Sequence, residues 1–169
     1  MYQSGALASL YRRVYQRPRL VSALGIIGAV AVILVALAFL YAVALLIVFE
    51  DYLGAIKLLI FAGVPFLAVS LLRGYVNLKR PYEVFDIPEL EEMRRSRKVG
   101  RAFPSRHVFS AFLIGTLWCM YSIPLGVAVM LLGLYIAAQR VLLGIHFPRD
   151  VIAGAVIGVL SGLIGTLIW

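Results

Sequence analysis

The feature that most constrains this sequence is its long apolar stretches, which a small soluble domain could not bury. Of its 169 residues, 63% are hydrophobic and 14% are charged. A soluble domain of this size removes only roughly 70% of its chain surface from water, so much of this apolar surface has to face lipid. The sequence therefore predicts an integral membrane protein.

Five apolar stretches approach the length of a membrane helix. About 20 apolar residues cross the hydrocarbon core, and the five stretches cover residues 20–49, 52–78, 108–121, 123–144 and 151–169. The first is long enough to tilt steeply or to hold two short helices, and the third would start near Ser105 or His107. We expect an all-α, polytopic transmembrane bundle of about five helices, or six if the first stretch is split.

A basic segment, residues 1–19, precedes the first apolar stretch, as a charged region does in a secretory signal. The stretch that follows is about twice the length of a signal core, so we expect it to remain as a membrane helix. Residues 20–169 then form a single membrane domain. The positive-inside rule puts the basic segment on the cytoplasmic side, whereas the side of the loop between the second and third spans stays open.

That loop, residues 79–106, is predicted to contain a short surface helix. Asp86 is positioned to cap a helix that begins near Pro88, and Gly100 follows its end. Acidic residues fall in its early turns and basic residues in its late turns, as the helix dipole favours. The acidic residues are Glu89, Glu91 and Glu92, and the basic residues are Arg94, Arg95, Arg97 and Lys98.

Most of the basic residues behind the net charge of +8 lie in the N-terminal segment and in the connections between the apolar stretches. Anionic lipid or a substrate phosphate is therefore a nearer partner than nucleic acid, and we expect no nucleic-acid role. The single cysteine, Cys119, lies in an apolar stretch and is interpreted as a small packing residue. Gly154, Gly158 and Gly162 recur at four-residue spacing in the last stretch, a pattern that permits close helix packing.

Three polar clusters interrupt the apolar pattern, and the first contains Arg73 and Arg80. The two are seven residues apart, and Pro81 follows the second. On a continuous helix their guanidinium groups would share one face, two turns apart. An arginine at the edge of a membrane helix is costly without a polar partner, which favours a functional role. Snorkelling to lipid headgroups is the alternative.

The second cluster is the run Pro104-Ser105-Arg106-His107, directly before the third apolar stretch. Ser105 is a good helix N-cap, and the backbone amides that follow it can bind an anion. Capping alone would explain Ser105. It would not explain His107, because an imidazole in the first turn of a membrane helix has no role in apolar packing, although a structural interfacial histidine remains the alternative.

The third cluster runs from Arg140, near the end of the fourth apolar stretch, through His146 to Asp150, just before the fifth. Asp150 can cap the final helix and also accept a hydrogen bond from one nitrogen of His146. That bond would fix the imidazole tautomer and leave the other nitrogen free to act as a nucleophile on phosphorus.

Together the clusters resemble the type 2 phosphatidic acid phosphatase superfamily, which shares its phosphate site with vanadium haloperoxidases. The family pattern is a basic residue, six residues and Arg-Pro; then Pro-Ser-Gly-His; then Ser-Arg, five residues, His, three residues and Asp. Order and spacing agree across residues 73–150. Three positions differ: Arg73 replaces lysine, Arg106 replaces glycine and Gln139 replaces serine. The Arg106 side chain either turns away from the site or adds a cation for a second phosphate.

The resemblance implies a lipid phosphate phosphatase with a phosphohistidine intermediate and no cofactor. His146 would attack phosphorus, Asp150 would orient it, and His107 would protonate the leaving oxygen and then activate water. The phosphate would be bound by Arg73, Arg80, Ser105, Arg106 and Arg140. Several cations beside one carboxylate would repel a divalent ion, so we expect no metal.

The expected substrate is a lipid phosphate: a polyprenyl diphosphate such as undecaprenyl diphosphate, phosphatidic acid, or phosphatidylglycerol phosphate. Membrane lipids are the other expected partners. The sequence does not select a monoester over a diphosphate, and it leaves the oligomeric state open. By analogy with small family members, we expect a bacterial cytoplasmic membrane protein. A non-catalytic membrane scaffold or anion-binding transporter component is the alternative. A haloperoxidase would need vanadate and does not fit the membrane-embedded composition.

Overall fold

A computed structural model describes residues 5–97 and 99–169 of the chain. Within these two ranges the regular structure is entirely helical, which confirms the all-α prediction. The helices are α1 (Gly5–Tyr15), α2 (Pro18–Val48), α3 (Tyr52–Val76), α4 (Pro81–Val84), α5 (Pro88–Ser96), α6 (Arg106–Trp118), α7 (Ile123–Leu142) and α8 (Pro148–Ile168).

Among the described residues, four segments are long and apolar enough to cross a membrane: Pro18–Val48, Tyr52–Val84, Ile123–Leu142 and Pro148–Ile168. The second of these consists of α3 followed by the short α4. The first is one continuous helix of 31 residues, so the first apolar stretch is not split. At 1.5 Å per residue it measures about 46 Å, more than the roughly 30 Å hydrocarbon core, and a tilt accommodates the excess.

The remaining apolar stretch forms α6, which is too short to count as a fifth span. Its 13 residues measure only about 20 Å. The predicted count of five or six spans is therefore not confirmed. Eight residues of α6 are buried, because the helix packs along α8 and α7 and also contacts α2 and α3. This short helix is the centre of the bundle.

Close contact between α6 and α8 depends on three glycines of α8. A Cβ atom on Gly154 would lie 2.7 Å from the carbonyl oxygen of Ser105, and one on Gly158 would lie 2.5 Å from that of Phe109. At Gly162 the nearest atom would be the Thr116 Cβ, at 2.5 Å. The four-residue glycine spacing thus brings the two backbones into contact and sets the first turns of both helices side by side.

The connection after α3 differs from the expected continuous helix. Asn77 takes a left-handed conformation (φ 41°, ψ 43°) and ends α3. Its side-chain Oδ1 accepts the N–H of Arg101 at 3.2 Å, so the turn is held by the returning end of the loop. Arg73 and Arg80 are consequently not on one helix, and the prediction that they share a helix face is wrong.

The predicted short surface helix before α6 is confirmed as α5 and begins at Pro88 as expected, but its N-cap residue differs from the prediction. Ile87 is the N-cap residue, rather than Asp86. The Asp86 side chain is 99% exposed and lies 3.5 Å from the Arg94 guanidinium. An ion pair on the surface therefore replaces the expected cap. Lys98, the last basic residue assigned to this helix, lies outside the described residues.

The basic N-terminal segment contains α1, an amphipathic helix that packs against the loop. Its buried Tyr11 ring meets Phe85 edge-on, with 5.5 Å between the ring centroids. Leu90 of α5 is fully buried in the same place. This second apolar cluster, separate from the main bundle, comprises Tyr11, Tyr82, Phe85, Ile87, Leu90 and Phe147.

We predict that Gly158→Ala will destabilise the protein. The added methyl group would press against the Phe109 carbonyl, and overpacking of this kind typically costs about 1–3 kcal/mol. In purified protein in detergent, the thermal midpoint should fall by several degrees. Gly63→Ala is the matched control, because a Cβ on that exposed glycine would have no atom within 4 Å. Equal midpoints for the two variants would contradict the packing described for α6 and α8.

Candidate active site

The three polar clusters meet around one cavity of about 330 Å³. It lies where α3, α6 and α7 end or begin, beneath the loop that carries α4 and α5. The described residues that line it are Arg73, Arg80, Tyr82, Ser96, Arg97, Arg106, His107, Arg140, Ile145 and His146. Five are arginines, two are histidines and none is a carboxylate.

Two arginines of the first cluster connect it to the other two. Arg73 is buried, and its Nη1 donates to the carbonyl oxygen of Pro104 in the second cluster. Arg80 donates through Nε to the Gly100 carbonyl at 3.0 Å, and its Nη1 lies 3.5 Å from the Ile145 carbonyl beside the third cluster. These guanidinium groups thus have partners on one side and face the cavity on the other.

Glu83 fixes the loop around Arg80. One carboxylate oxygen, Oε2, accepts the backbone N–H of Arg80 at 2.9 Å and that of Gly100 at 2.8 Å. A single acid therefore holds both ends of the loop that carries α4 and α5. Sequence reasoning missed this residue, because a lone glutamate in a hydrophilic loop gives no pattern that separates it from a solvated side chain.

The second and third clusters are joined through their backbones. The N–H of Ser105 donates to the carbonyl oxygen of Asp150 at 2.9 Å. Ser105 occupies the predicted N-cap position of α6, but its side chain makes no capping bond. Its Oγ is buried and makes no hydrogen bond to any described residue. The hydrogen-bonding capacity of this hydroxyl is therefore unused among the described residues.

His146 and Asp150 form a buried pair at the base of the cavity. His146 Nδ1 lies 3.5 Å from Asp150 Oδ2, at the outer limit for a hydrogen bond. The same Oδ2 accepts the N–H of Phe147 at 2.9 Å, which ties the carboxylate to the start of α8. Asp150 therefore combines its predicted role at the helix start with a position beside the imidazole.

The pKa of His146 is lowered from its ordinary value of 6.5, mainly because burial disfavours the charged imidazolium. The positive charges of Arg80 and Arg73 lower it further, whereas Asp150 opposes the shift. The net direction keeps the imidazole neutral at physiological pH. A neutral imidazole has the free electron pair that a nucleophile requires.

His107 lies where the polar cavity opens into an apolar groove of about 440 Å³. The groove follows one face of α6 past Ser110 and Ile114, about 10 Å along the helix axis. Its walls come mainly from α2, together with Phe66 of α3 and Ile136 of α7. The two spaces together have room for one molecule with an anionic group in the cavity and a hydrocarbon chain in the groove.

Six of the residues expected to form the site line the cavity, and two lie behind its wall. The six are Arg73, Arg80, Arg106, His107, Arg140 and His146. Ser105 and Asp150 are fully buried beneath them. Gln139, which departs from the family pattern, points elsewhere: its amide packs against Gly28 of α2, where a Cβ would lie 2.7 Å from the Gln139 Cδ.

Arg97 also lines the cavity, although sequence reasoning gave it no role there. It directly follows α5 as the C-cap residue. In the sequence it is one of several basic residues in a run, and nothing in the run marks which of them turns inward. Only the fold of the loop distinguishes it.

Among the described residues, no group of three or more histidine, cysteine, aspartate and glutamate side chains is arranged to hold a metal ion. The donor set of the cavity is instead cationic. Arginine forks bind tetrahedral oxyanions through paired hydrogen bonds, and helix N-termini add backbone N–H groups. The arrangement is suited to a phosphate group.

The chain is similar to a known protein family and to a bacterial relative. Residues 52–169 match the family described as the PAP2 superfamily. The chain is 30% identical over 106 residues to the bacitracin transport permease protein BcrC of Bacillus licheniformis, and the match covers 62% of this chain. It spans 52% of that relative, about half its length.

Two solved structures are similar in fold. Aquifex aeolicus LpxE has a TM-score of 0.67 and 22% sequence identity, with 95% of this chain and 94% of that chain covered. The transmembrane PAP2 type phosphatidylglycerolphosphate phosphatase from Bacillus subtilis has a TM-score of 0.71 and 18% identity, with 97% and 84% covered. At these identities the likeness concerns the fold.

We predict that inorganic phosphate or orthovanadate will stabilise the purified protein. An anion that binds only the folded state raises the thermal midpoint, and at about 100 times its dissociation constant it adds about 2.7 kcal/mol. Arg140→Gln should weaken this stabilisation, because it removes a guanidinium from the cavity wall. Arg95→Gln is the control, since Arg95 pairs with Glu91 on the exposed face of α5. Equal anion responses in both variants would argue against the cavity as the anion site.

Proposed function

The chain belongs to the PAP2 superfamily, and from this premise we propose that it is a metal-independent phosphatase of lipid phosphates with a phosphohistidine intermediate. One observation carries the proposal. The two histidines line a single cavity whose other polar walls are mainly arginines, and this cavity opens into an apolar groove. A non-catalytic scaffold would not require that combination.

In the first step His146 attacks the phosphorus atom of the substrate. Its Nδ1 faces Asp150, so Nε2 is the nucleophilic nitrogen. The P–N bond forms while the P–O bond to the lipid breaks. Asp150 stabilises the positive charge that develops on the ring, as the carboxylate does in other histidine dyads.

His107 completes both steps as general acid and general base. It gives a proton to the leaving lipid oxygen, and it then takes a proton from the water that attacks the phosphohistidine. Its position between the cavity and the apolar groove supports this role, because a leaving lipid would depart past it. The products are the dephosphorylated lipid and inorganic phosphate, and His146 is restored.

Arg73, Arg80 and Arg140 stabilise the charge on the phosphoryl oxygens in the transition state. Fixed cations in a partly dry cavity act more strongly than they would in water. The backbone N–H groups at positions 106 and 107 begin α6, have no partner within the helix and add to the anion site. The hydroxyl of Ser105 is a further donor.

The substrate is a lipid because the groove that continues from His107 is apolar, and two of its lining residues, Leu40 and Phe66, are exposed at the surface of the bundle, where lipid can enter. One structure of similar fold is described as a phosphatidylglycerolphosphate phosphatase, which agrees with a lipid phosphate as the substrate class. We place the enzyme in a bacterial cytoplasmic membrane, since the relative and this structure come from Bacillus species.

A trapping experiment should distinguish the roles of the two histidines. The substrate is 4-nitrophenyl [³²P]phosphate, whose leaving group needs little protonation. His146→Ala should carry no covalent label, because no P–N bond can form. His107→Ala should accumulate base-stable, acid-labile label, because hydrolysis of the intermediate lacks its base. Quenched protein separated by electrophoresis provides the measurement.

The control for this experiment is Tyr75→Ala, which removes a side chain that is 91% exposed on α3. It should release phosphate as the unmodified protein does, in the presence of a chelator. Persistent labelling of His146→Ala would refute the nucleophile. Activity that disappears with the chelator and returns with magnesium would refute the metal-independent mechanism.

The pH profile provides a second test. Because the pKa of His146 is lowered, the neutral nucleophile persists below pH 6.5 and is lost only as the pH falls through the lowered value. The acid limb of kcat/KM should therefore lie below 6.5. Asp150→Asn removes the charge that opposes the shift, so its acid limb should move to still lower pH while kcat falls. A limb that moves upward in this variant would contradict the pairing.

A further inference from the structure

We propose that Arg106 forms a second phosphate subsite and that the substrate is a lipid diphosphate. The proposal rests on the proposed function and narrows its substrate class. Under it, the terminal phosphate reacts at His146 while Arg106 binds the phosphate that remains on the lipid. Arg106 is then the residue that determines the preference for a diphosphate over a monoester.

The position of Arg106 is the first observation. Among the described residues that line the two spaces, only Arg106 and His107 line both the phosphate cavity and the apolar groove. His107 is the residue that meets the leaving oxygen. A group attached to that oxygen therefore lies next to Arg106, before the hydrocarbon chain begins.

The surroundings of the Arg106 guanidinium are the second observation. Its Cζ atom lies 5.8 Å from the centroid of the Phe66 ring, a residue that also lines the groove. Within the described part of the chain, no carboxylate lies within ion-pair distance of Arg106. A cation at the mouth of an apolar groove without an acidic partner is suited to bind an anion from the substrate.

The charge balance of the cavity is the third observation. Of the described residues, five arginines and no carboxylate line it. A phosphate monoester carries about two negative charges at neutral pH, which Arg73, Arg80 and Arg140 already neutralise. A diphosphate adds a further negative charge on the side of the bridging oxygen. Arg106 is the lining arginine that stands on that side, beside the groove.

The reaction balances with water as the only co-substrate. Nε2 of His146 bonds to the terminal phosphorus, and the bond between that phosphorus and the bridging oxygen breaks. The leaving group is the lipid monophosphate, and His107 supplies its proton. Water then cleaves the P–N bond and yields inorganic phosphate. Arg106 stabilises the charge that grows on the leaving phosphate, so its contribution is specific to diphosphates.

The test compares farnesyl diphosphate with farnesyl monophosphate, which share one hydrocarbon chain. The measured quantity is the ratio of the two kcat/KM values from initial rates of phosphate release in detergent. Arg106→Gln should lower this ratio about tenfold or more, because a charge-assisted hydrogen bond to the leaving phosphate is lost. Arg106→Lys should restore most of it, and Arg95→Gln should leave it unchanged.

A ratio that Arg106→Gln does not alter would overturn the proposal, as would an unmodified protein that prefers the monophosphate. An equal loss on phosphatidylglycerol phosphate, where glycerol separates the two phosphates, would overturn the assignment to a diphosphate. The proposed function fails by a different result: no phosphate release from any of these lipids or from phosphatidic acid.

A binding measurement covers the case in which the variant turns over too slowly to assay. Inorganic diphosphate should raise the thermal midpoint of the unmodified protein more than orthophosphate does at the same concentration. In Arg106→Gln this difference should disappear while the orthophosphate response persists. A difference that survives in the variant would place the second phosphate elsewhere and overturn the proposal.

Discussion

The need to satisfy arginine side chains at the end of an apolar bundle organises the site. A guanidinium group has five N–H donors and keeps its charge, so burying it without partners is costly. Arg73 meets this need through the Pro104 carbonyl, and Arg80 through the carbonyls of Gly100 and Ile145. These acceptors belong to distant parts of the chain. The bonds that satisfy the arginines therefore also assemble the cavity.

The helix packing gives those bonds their geometry. Because α8 has Gly154 and Gly158 at its contact with α6, the two backbones touch, and the N–H of Ser105 reaches the carbonyl of Asp150. His107 lies in the first turn of α6. His146 lies two residues before the start of α8. The glycines of α8 thereby set the distance between the side chains of His107 and His146.

The sequence predicted the parts of this arrangement that depend on local chemistry. Spacing within each cluster identified Arg140, His146 and Asp150, and the apolar pattern indicated long membrane helices. It failed where distant contacts decide the structure. Asn77 ends α3, and its side chain accepts a hydrogen bond from the backbone N–H of Arg101. The local sequence around Asn77 does not predict this distant partner. The apolar residues of α6 suggested a membrane span. The helix is apolar because it is buried among the other helices, not because it contacts lipid along its length.

The N-terminal segment shows that the site depends on more than the residues that match the family. Tyr11 of α1 lies outside residues 52–169, yet it is fully buried against Phe85 and beside Gly144. Phe85 in turn meets Phe147, with 6.2 Å between ring centroids, and Phe147 directly follows His146. Tyr15 adds a hydrogen bond from its hydroxyl to the Leu143 carbonyl at 3.1 Å. Since an aromatic cluster excludes water only when it is covered on all sides, α1 completes the packing that holds the loop of His146 in place.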